Sequence, residues 1–357
     1  VARPDQIAIV EANGQKYDIW TELEATRSVE DVIDHVLLTC AEIDKNLKNP
    51  APRGTIRSIK LQPGDRVSVT LAGQRILTGL VYMRQAVVDP ENHVVQIGIS
   101  SLAQSVMAST VDGKPGQYVN QTLQQIGSAC FGKVGVNFTI TASGDMPFPR
   151  VSEHIGETRF AFIERLCRMR NMHMVDDGNG GIEAFRGASS GILTIKEGFN
   201  LERGRVLLKN NDHVDEINVH GQDFGNDSAD VNRSPTGSTS VDPPINRPFS
   251  IIAEEMGNSQ AMQLRANHQG DWTKYMQVDG DITVPGWLCP DGSLWWNHVK
   301  EQVRVISPSL LPEDEFQFMI KAVVHKQSNE RGTTTDVLLC RSDGFGAFGE
   351  ALVQGSK

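Results

Sequence analysis

The stretch from Gly156 to Phe185, GETRFAFIERLCRMRNMHMVDDGNGGIEAF, leaves the chain little choice of local structure. Phe160, Phe162, Ile163, Leu166, Cys167 and Met169 recur at helical spacing behind Glu157 and Thr158, and Glu157 suits the positive end of a helix dipole. Arg165, Arg168 and Arg170 suit the negative end, and Asn171 can take the left-handed conformation that ends a helix. Met172 to Val175 then read as extended, Asp176 to Gly181 as a glycine-rich turn, and Ile182, Ala184 and Arg186 as the returning strand. The stretch is a helix of about three turns followed by a hairpin, with Phe162 and Leu166 on one helix face. Asp176, Asp177 and Asn179 bring oxygen donors together, but a calcium loop needs about six or more oxygens and a distal bidentate Glu, and Glu183 comes too early for one. A plain turn is expected.

Around this unit the rhythm is that of short strands. Ile7, Ile9 and Val10 precede Asn13-Gly14, a two-residue hairpin signal, and Tyr17, Ile19 and Trp20 return. Further strands are expected at 27–35, 36–43, 66–71, 75–85 and 93–100, broken by Pro63-Gly64-Asp65, Ala72-Gly73 and Asp89-Pro90, with 47–55 a loop. Residues 1–100 thus read as a first antiparallel barrel or sandwich. Helical spacing at 101–108 and 122–129, a short strand at 132–140 and the opening unit make a compact α/β domain over 101–205, which 248–274 can complete, since 259–272 is helical in pattern. A second β region is expected over 206–247 and 275–345. Within it, 225–247 is rich in Ser, Pro, Gly, Asn and Asp and is expected to be a flexible loop. A glycine-rich tail, 346–357, closes the chain. The fold class is therefore mainly β with an α+β insertion.

Composition excludes several functions. The 357 residues suffice for two or three real cores, and the five cysteines lie far apart with no CxxC pair, which suggests neither a zinc knuckle nor a disulfide framework. No apolar run approaches a membrane span, and no signal peptide is evident, so a cytosolic origin is expected. A formal charge of -10 argues against sequence-independent binding of nucleic acid, which depends on neutralising phosphates.

Catalytic signals are sparse: neither HExxH nor a P-loop occurs. His173 between two methionines reads as a satisfied strand histidine, and His298, beside Asn297 and two tryptophans, is the other candidate considered. Glu254 and Glu255 are adjacent, so they diverge by about 100 degrees on a helix and do not pair. No catalytic, cofactor-binding or metal residue is assigned. Trp287, Trp295 and Trp296, in VPGWLCPDGSLWWNHV, have two readings: rings plugging a barrel corner, or an aromatic face for sugars.

GETRFAFIERLCRMRNMHMVDDGNGGIEAF, preceded by SSLAQSVMAST and TLQQIGSACFGKVGVNFTI and followed by EINVHGQ, ITVPGW, DGSLWWNHVKEQV and GTTTDVLLCRSDGF, resembles the Mu gpP-like tail baseplate hub family of contractile-tailed phages. It is more distantly similar to the hub part of VgrG spikes. The resemblance covers nearly the whole chain. It implies two tail-tube-like antiparallel β-barrels plus a small α/β domain, assembled as a non-enzymatic homotrimer. The ring would adapt the six-fold tail tube to a three-fold central spike and let DNA pass without specific binding. Its implied partners are the tube, wedge and spike proteins, the spike being a separate protein because the chain ends soon after the second β region. Its implied location is the virion baseplate, after assembly in the host cytoplasm. The competing readings are a carbohydrate-binding tail protein using Trp287, Trp295 and Trp296, and a cell-wall hydrolase.

Overall fold

The structure is a computed structural model and describes residues 6–18, 20–41, 59–88, 93–112, 116–223, 234–311, 313 and 315–345. The expected loop at 47–55, the tail at 346–357 and part of the 225–247 loop lie outside them.

The first β region contains β1 (Ala8–Ala12), β2 (Gln15–Tyr17), β3 (Glu22–Ser28), β4 (His35–Ala41), β5 (Arg66–Leu71), β6 (Gln74–Val88) and β7 (His93–Ser101). Asn13 and Gly14 join β1 to β2 with φ of 50° and 74°, the left-handed pair that a two-residue hairpin turn demands. Burial alternates along β1 and β5, so one face of each meets a core containing Val10, Leu38, Val69 and Ile97. The expected strand at 27–35 is instead β3, a turn, and β4: Val29 ends up in the second β core, while Val32 and Ile33 pack into the middle core. Apolar content there signals burial by a turn, not a strand.

The middle unit follows with α1 (Gln104–Ala108), β8 (Gln117–Gln121), α2 (Leu123–Gly132), β9 (Phe138–Ile140), β10 (Phe148–Ser152), α3 (Arg159–Arg168), β11 (His173–Asp176) and β12 (Ile182–Phe185). Thr122 and Gln125 form a capping box at the start of α2, and Asp145 accepts from the Leu123 and Gln124 amides, at 2.9 Å each. Thr158 caps α3 by accepting from the Ala161 amide at 3.1 Å. Asn171, at φ 51°, ends the α3 segment in the left-handed conformation expected of it. Phe162, Ile163 and Leu166 are fully buried in the middle core. β11 and β12 form the expected hairpin, and β9 joins β12 in parallel.

β13 (Ser189–Lys196) and β14 (Arg203–Leu208) open the second β region. The chain then leaves it to build β15 (Glu216–His220), β16 (Thr236–Ser240), β17 (Pro248–Ile252) and α4 (Ser259–Met276), and returns with β18 (Val278–Pro285), β19 (Glu301–Ile306), β20 (Glu315–Ser328) and β21 (Gly332–Arg341). β15 lies between β16 and β17 in a separate sheet, and its Ile217 and Val219 pack with Ala261, Met262 and Ala266 of α4 in the middle core. β15 and β16 therefore pack with the α/β unit and not, as expected, with the second β region, whose first strand is β13, while β17 and α4 join the α/β unit as the reading of 248–274 allowed. Residues 236–240 are also a strand and not a flexible loop. The polar sequence TGSTS pairs there because Gly237 lets the strand touch α4: a Cβ at 237 would lie 2.3 Å from the backbone at Met262 and Gln263.

The two β regions repeat one topology. In the first, the strand path β3-β4-β7-β6-β5-β1 visits the second, third, sixth, fifth, fourth and first of these strands in sequence order. In the second, β14-β18-β21-β20-β19-β13 does the same. The long strands β6 and β20 each carry a bulge in their pairing, at Val81/Met83 and at Ile320/Ala322. Just beside each bulge a left-handed residue, Gly64 (φ 96°) or Lys300 (φ 72°), donates its amide to the carbonyl of Val81 or Ile320, at 2.8 Å in both cases. The repeats differ at one end, where β1 is antiparallel to β5 but β13 is parallel to β19. Pairing among the described residues does not close either repeat into a barrel. Instead β20 of the second pairs with β3 of the first, and a single thirteen-stranded sheet runs through both.

Candidate functional site

The seam where β20 meets β3 fixes the two repeats to each other. Antiparallel pairing runs from Ala322 opposite Ser28 to Ser328 opposite Glu22. Three large rings close it from above: Trp287, Trp295 and Trp296 are 1%, 2% and 1% exposed. They lie between β18 and β19, in the second repeat, yet Trp287 and Trp296, with Leu294, belong to the first repeat's core, and only Trp295 packs into the second. The segment 287–296 therefore stitches the two cores. His325, on β20 and wholly buried, stacks on Trp296 at 5.9 Å and 19° and meets Thr335 Oγ1 through Nδ1 at 2.8 Å. Burial pushes its pKa down to about 3, which keeps the ring neutral. Trp287 Nε1 donates to the Lys326 carbonyl at 3.2 Å, and Gln74 donates to the Gly292 carbonyl at 3.0 Å. Rings this enclosed offer no face to a sugar, so the carbohydrate-binding reading of Trp287, Trp295 and Trp296 is overturned.

The acidic turn of the opening unit forms a second joint. Asp177 Oδ1 accepts from the Asn179 and Gly181 amides at 2.7 and 2.8 Å, and Asp176 Oδ1 accepts from the Gly178 amide at 2.7 Å. One oxygen of each carboxylate is thus occupied by the turn itself. Arg27 of β3 donates to the Asp176 carbonyl at 2.5 Å, and Arg75 of β6 donates to Asn179 Oδ1 at 2.7 Å, which docks the hairpin on the first repeat. Burial raises the Asp176 carboxyl to about 6 and holds the enclosed Asp34 carboxyl well above the usual range, against the pull of Arg27.

The other candidate residues are occupied by structure. The His173 ring stacks on His268 at 4.7 Å and meets Phe345 edge-on at 4.5 Å, with burial lowering its pKa to about 3. Glu254 is held by Arg265 at 2.9 Å and Glu255 by Arg165, so the two carboxylates serve separate cations. His298 lies between Glu301, 2.7 Å from Nδ1, and Ser293 Oγ, 2.6 Å from Nε2. These are the spacings of a hydrolase relay, but the amides beside the hydroxyl are committed: Ser293 N to Asp291 Oδ1 and Gly292 N to Cys289 O. The Ser293 hydroxyl also donates to Asp291 at 2.6 Å. Donor atoms of Cys289, Asp291 and His298 lie within 4.8 Å of one another, a set that suits a zinc-like cation by ligand type. A mixed-charge cleft of about 670 Å³ beside the seam is lined by Glu22, Glu24, Arg203, Lys326 and Asp336 among others. Lys326 and Asp336 there pair at 2.8 Å, and the lining includes neither His nor Cys among the described residues. Sequence reasoning missed His325, Arg27 and Arg75, whose roles depend on partners distant in the chain.

Residues 103–185, the middle unit through β12, match the family described as baseplate hub protein gp44-like, second domain. The chain is 24% identical over 345 residues to the baseplate hub protein gp44 of Escherichia phage Mu, covering 94% of this chain and 87% of that protein. Its fold matches the 43 kDa tail protein of prophage MuSo2 from Shewanella oneidensis with a TM-score of 0.77 at 20% identity, over 95% of this chain and all of that one. The tail protein from Neisseria meningitidis MC58 gives the same TM-score of 0.77 at 16% identity, over 95% and 97% of the two chains. No helix among the described residues is long and apolar enough to cross a membrane. A family match over the middle unit, a nearly end-to-end similarity to the Mu hub and a shared tail-protein fold agree, and the chain is a baseplate hub protein of a phage tail.

Proposed function

We propose that three copies of the chain form the ring at the centre of the baseplate, adapting a six-fold tail tube to a three-fold spike, and that the chain catalyses no reaction. One observation carries this: two β regions of identical strand order are fused through β3 and β20 in every chain. Three such chains present six similar β units, so one ring matches six-fold symmetry on one side and three-fold on the other. The seam, the tryptophan stitch and the hairpin joint hold the two repeats at a fixed angle, as a rigid adapter requires. A central spike protein, the tail tube and the wedge proteins are its partners in this reading. A formal charge of -10 per chain gives the ring little attraction for a duplex passing through it. The absence of catalysis is supported by committed amides around Ser293 and by partnered carboxylates at Glu254 and Glu255.

Light scattering of the purified chain across a range of concentrations tests the reading. The expected species has three times the mass of the 39.2 kDa chain. A monomer at every concentration, or clearing of a cell-wall suspension by the pure protein, contradicts it.

A further inference from the structure

The internal repeat predicts how one chain meets the next. In β20 the half paired with β19 ends at Met319, and beyond the bulge the freed edge takes up β3. β6 has the same design: pairing with β5 ends at Leu80, and residues 82–88 bond only to β7 among the described residues. The strand equivalent to β3 in the second repeat is β14, which ends the sheet path and, among the described residues, pairs only with β18. Each chain therefore has one edge of the β20 kind and one strand of the β3 kind left over. Both carry exposed apolar side chains: Tyr82 (53%) and Val87 (46%) on β6, Leu207 (43%) and Leu208 (56%) on β14. Such edges are templates for strand pairing.

We propose that β14 of one subunit pairs antiparallel with the free half of β6 in its neighbour, repeating between chains the β3–β20 pairing within each chain. The proposal rests on the trimeric reading and specifies its contact. The ladders on either side of the bulges set the register. Val81 is equivalent to Ile320 and Met83 to Ala322, through their pairing with Ile99 and Gly98 or Leu339 and Leu338. Val36 opposite Ile99 matches Gly280 opposite Leu339, and their partners Ala25 and Val206 are then equivalent. Transferring the pairs Thr26–Val324 and Ala25–His325 places Leu207 opposite Gln85 and Val206 opposite Ala86. In that register Leu207 lies diagonally beside Val87 on one face, within reach for a cross-strand apolar contact. Three repetitions join three chains into one closed ring whose six seams are of the same kind.

Disulfide trapping in the full chain tests the register. Gln85 and Leu207 are exposed, and all five native cysteines are buried, so Gln85→Cys combined with Leu207→Cys leaves the core intact and the background low. Mild oxidation should yield covalent dimers and closed trimers on a non-reducing gel. Gln85→Cys with Val206→Cys, whose side chains would point to opposite faces, should stay uncrosslinked. A trimer by light scattering in which the first pair fails to crosslink, or in which both pairs crosslink equally, overturns the pairing and leaves the trimeric reading standing. A chain that stays monomeric overturns both.

Discussion

Replacing Trp296 by alanine should damage a β region distant from it in sequence. The indole is 1% exposed and sits in the core of residues 8–99, with Val10, Leu38, Val69 and Ile97 as fellow members. A tryptophan buries about 150–250 Å², which at about 25 cal/mol per Å² corresponds to roughly 4–6 kcal/mol. Truncations of buried tryptophan cost about 3–5 kcal/mol because the cavity relaxes only in part. The two routes agree on about 4 kcal/mol, and loss of the stacking partner of His325 adds to the damage on β20. Urea unfolding gives the magnitude, and hydrogen exchange gives the location. Amides of β4, β5 and β7 should lose protection together with those of β20, although Trp296 lies between β18 and β19. Trp272→Ala, at a ring 41% exposed, is the control and should cost less than about 1 kcal/mol. A Trp296→Ala cost under about 1 kcal/mol, or lost protection confined to β18–β21, would refute the stitching role.

Leu166, fully buried in the middle core beneath α3, should cost about 2–5 kcal/mol on replacement by alanine, seen as a lower urea midpoint at unchanged slope. His325 provides a pH test: its folded pKa of about 3 lies below the ordinary 6.5, so the unfolded chain takes up a proton that the folded chain refuses. Its contribution to stability is complete above about 6.5 and declines as pH falls, by about 1.4 kcal/mol per unit, or roughly 2 kcal/mol at pH 5. His325→Gln should lose that part of the pH dependence. Asp34, Asp176 and Asp271, whose raised pKa values favour the folded chain as pH falls toward 4, act oppositely but cancel in the comparison. Parallel pH profiles for wild type and variant would show that the ring is not held neutral by burial.

Features decided within a few residues were legible in the sequence. Helical spacing from Phe160 to Met169, Asn171 as its terminator, the turn at Asn13-Gly14 and the turn at Asp176 to Gly181 all appear as read. Features decided by distant partners were not. The apolar residues Val29, Val32 and Ile33 looked like a strand, but they serve two different cores from a turn. The TGSTS segment looked too polar to order, yet close contact with α4 requires a residue as small as Gly237. The tryptophan cluster was visible as a core plug, but which core it fills depends on β20 crossing to β3. The internal repeat itself left only a shared rhythm of strands in the sequence, because strand order is conveyed by backbone pairing, which does not require matching side chains.

An electron cryomicroscopy map of the purified ring tests the central claim most directly. The account predicts three chains around one bore, with six similar β units alternating between first and second repeats and β14 of each chain lying against β6 of the next. A ring of six chains, or a trimer whose first and second repeats lie at different radii from the axis, would contradict it.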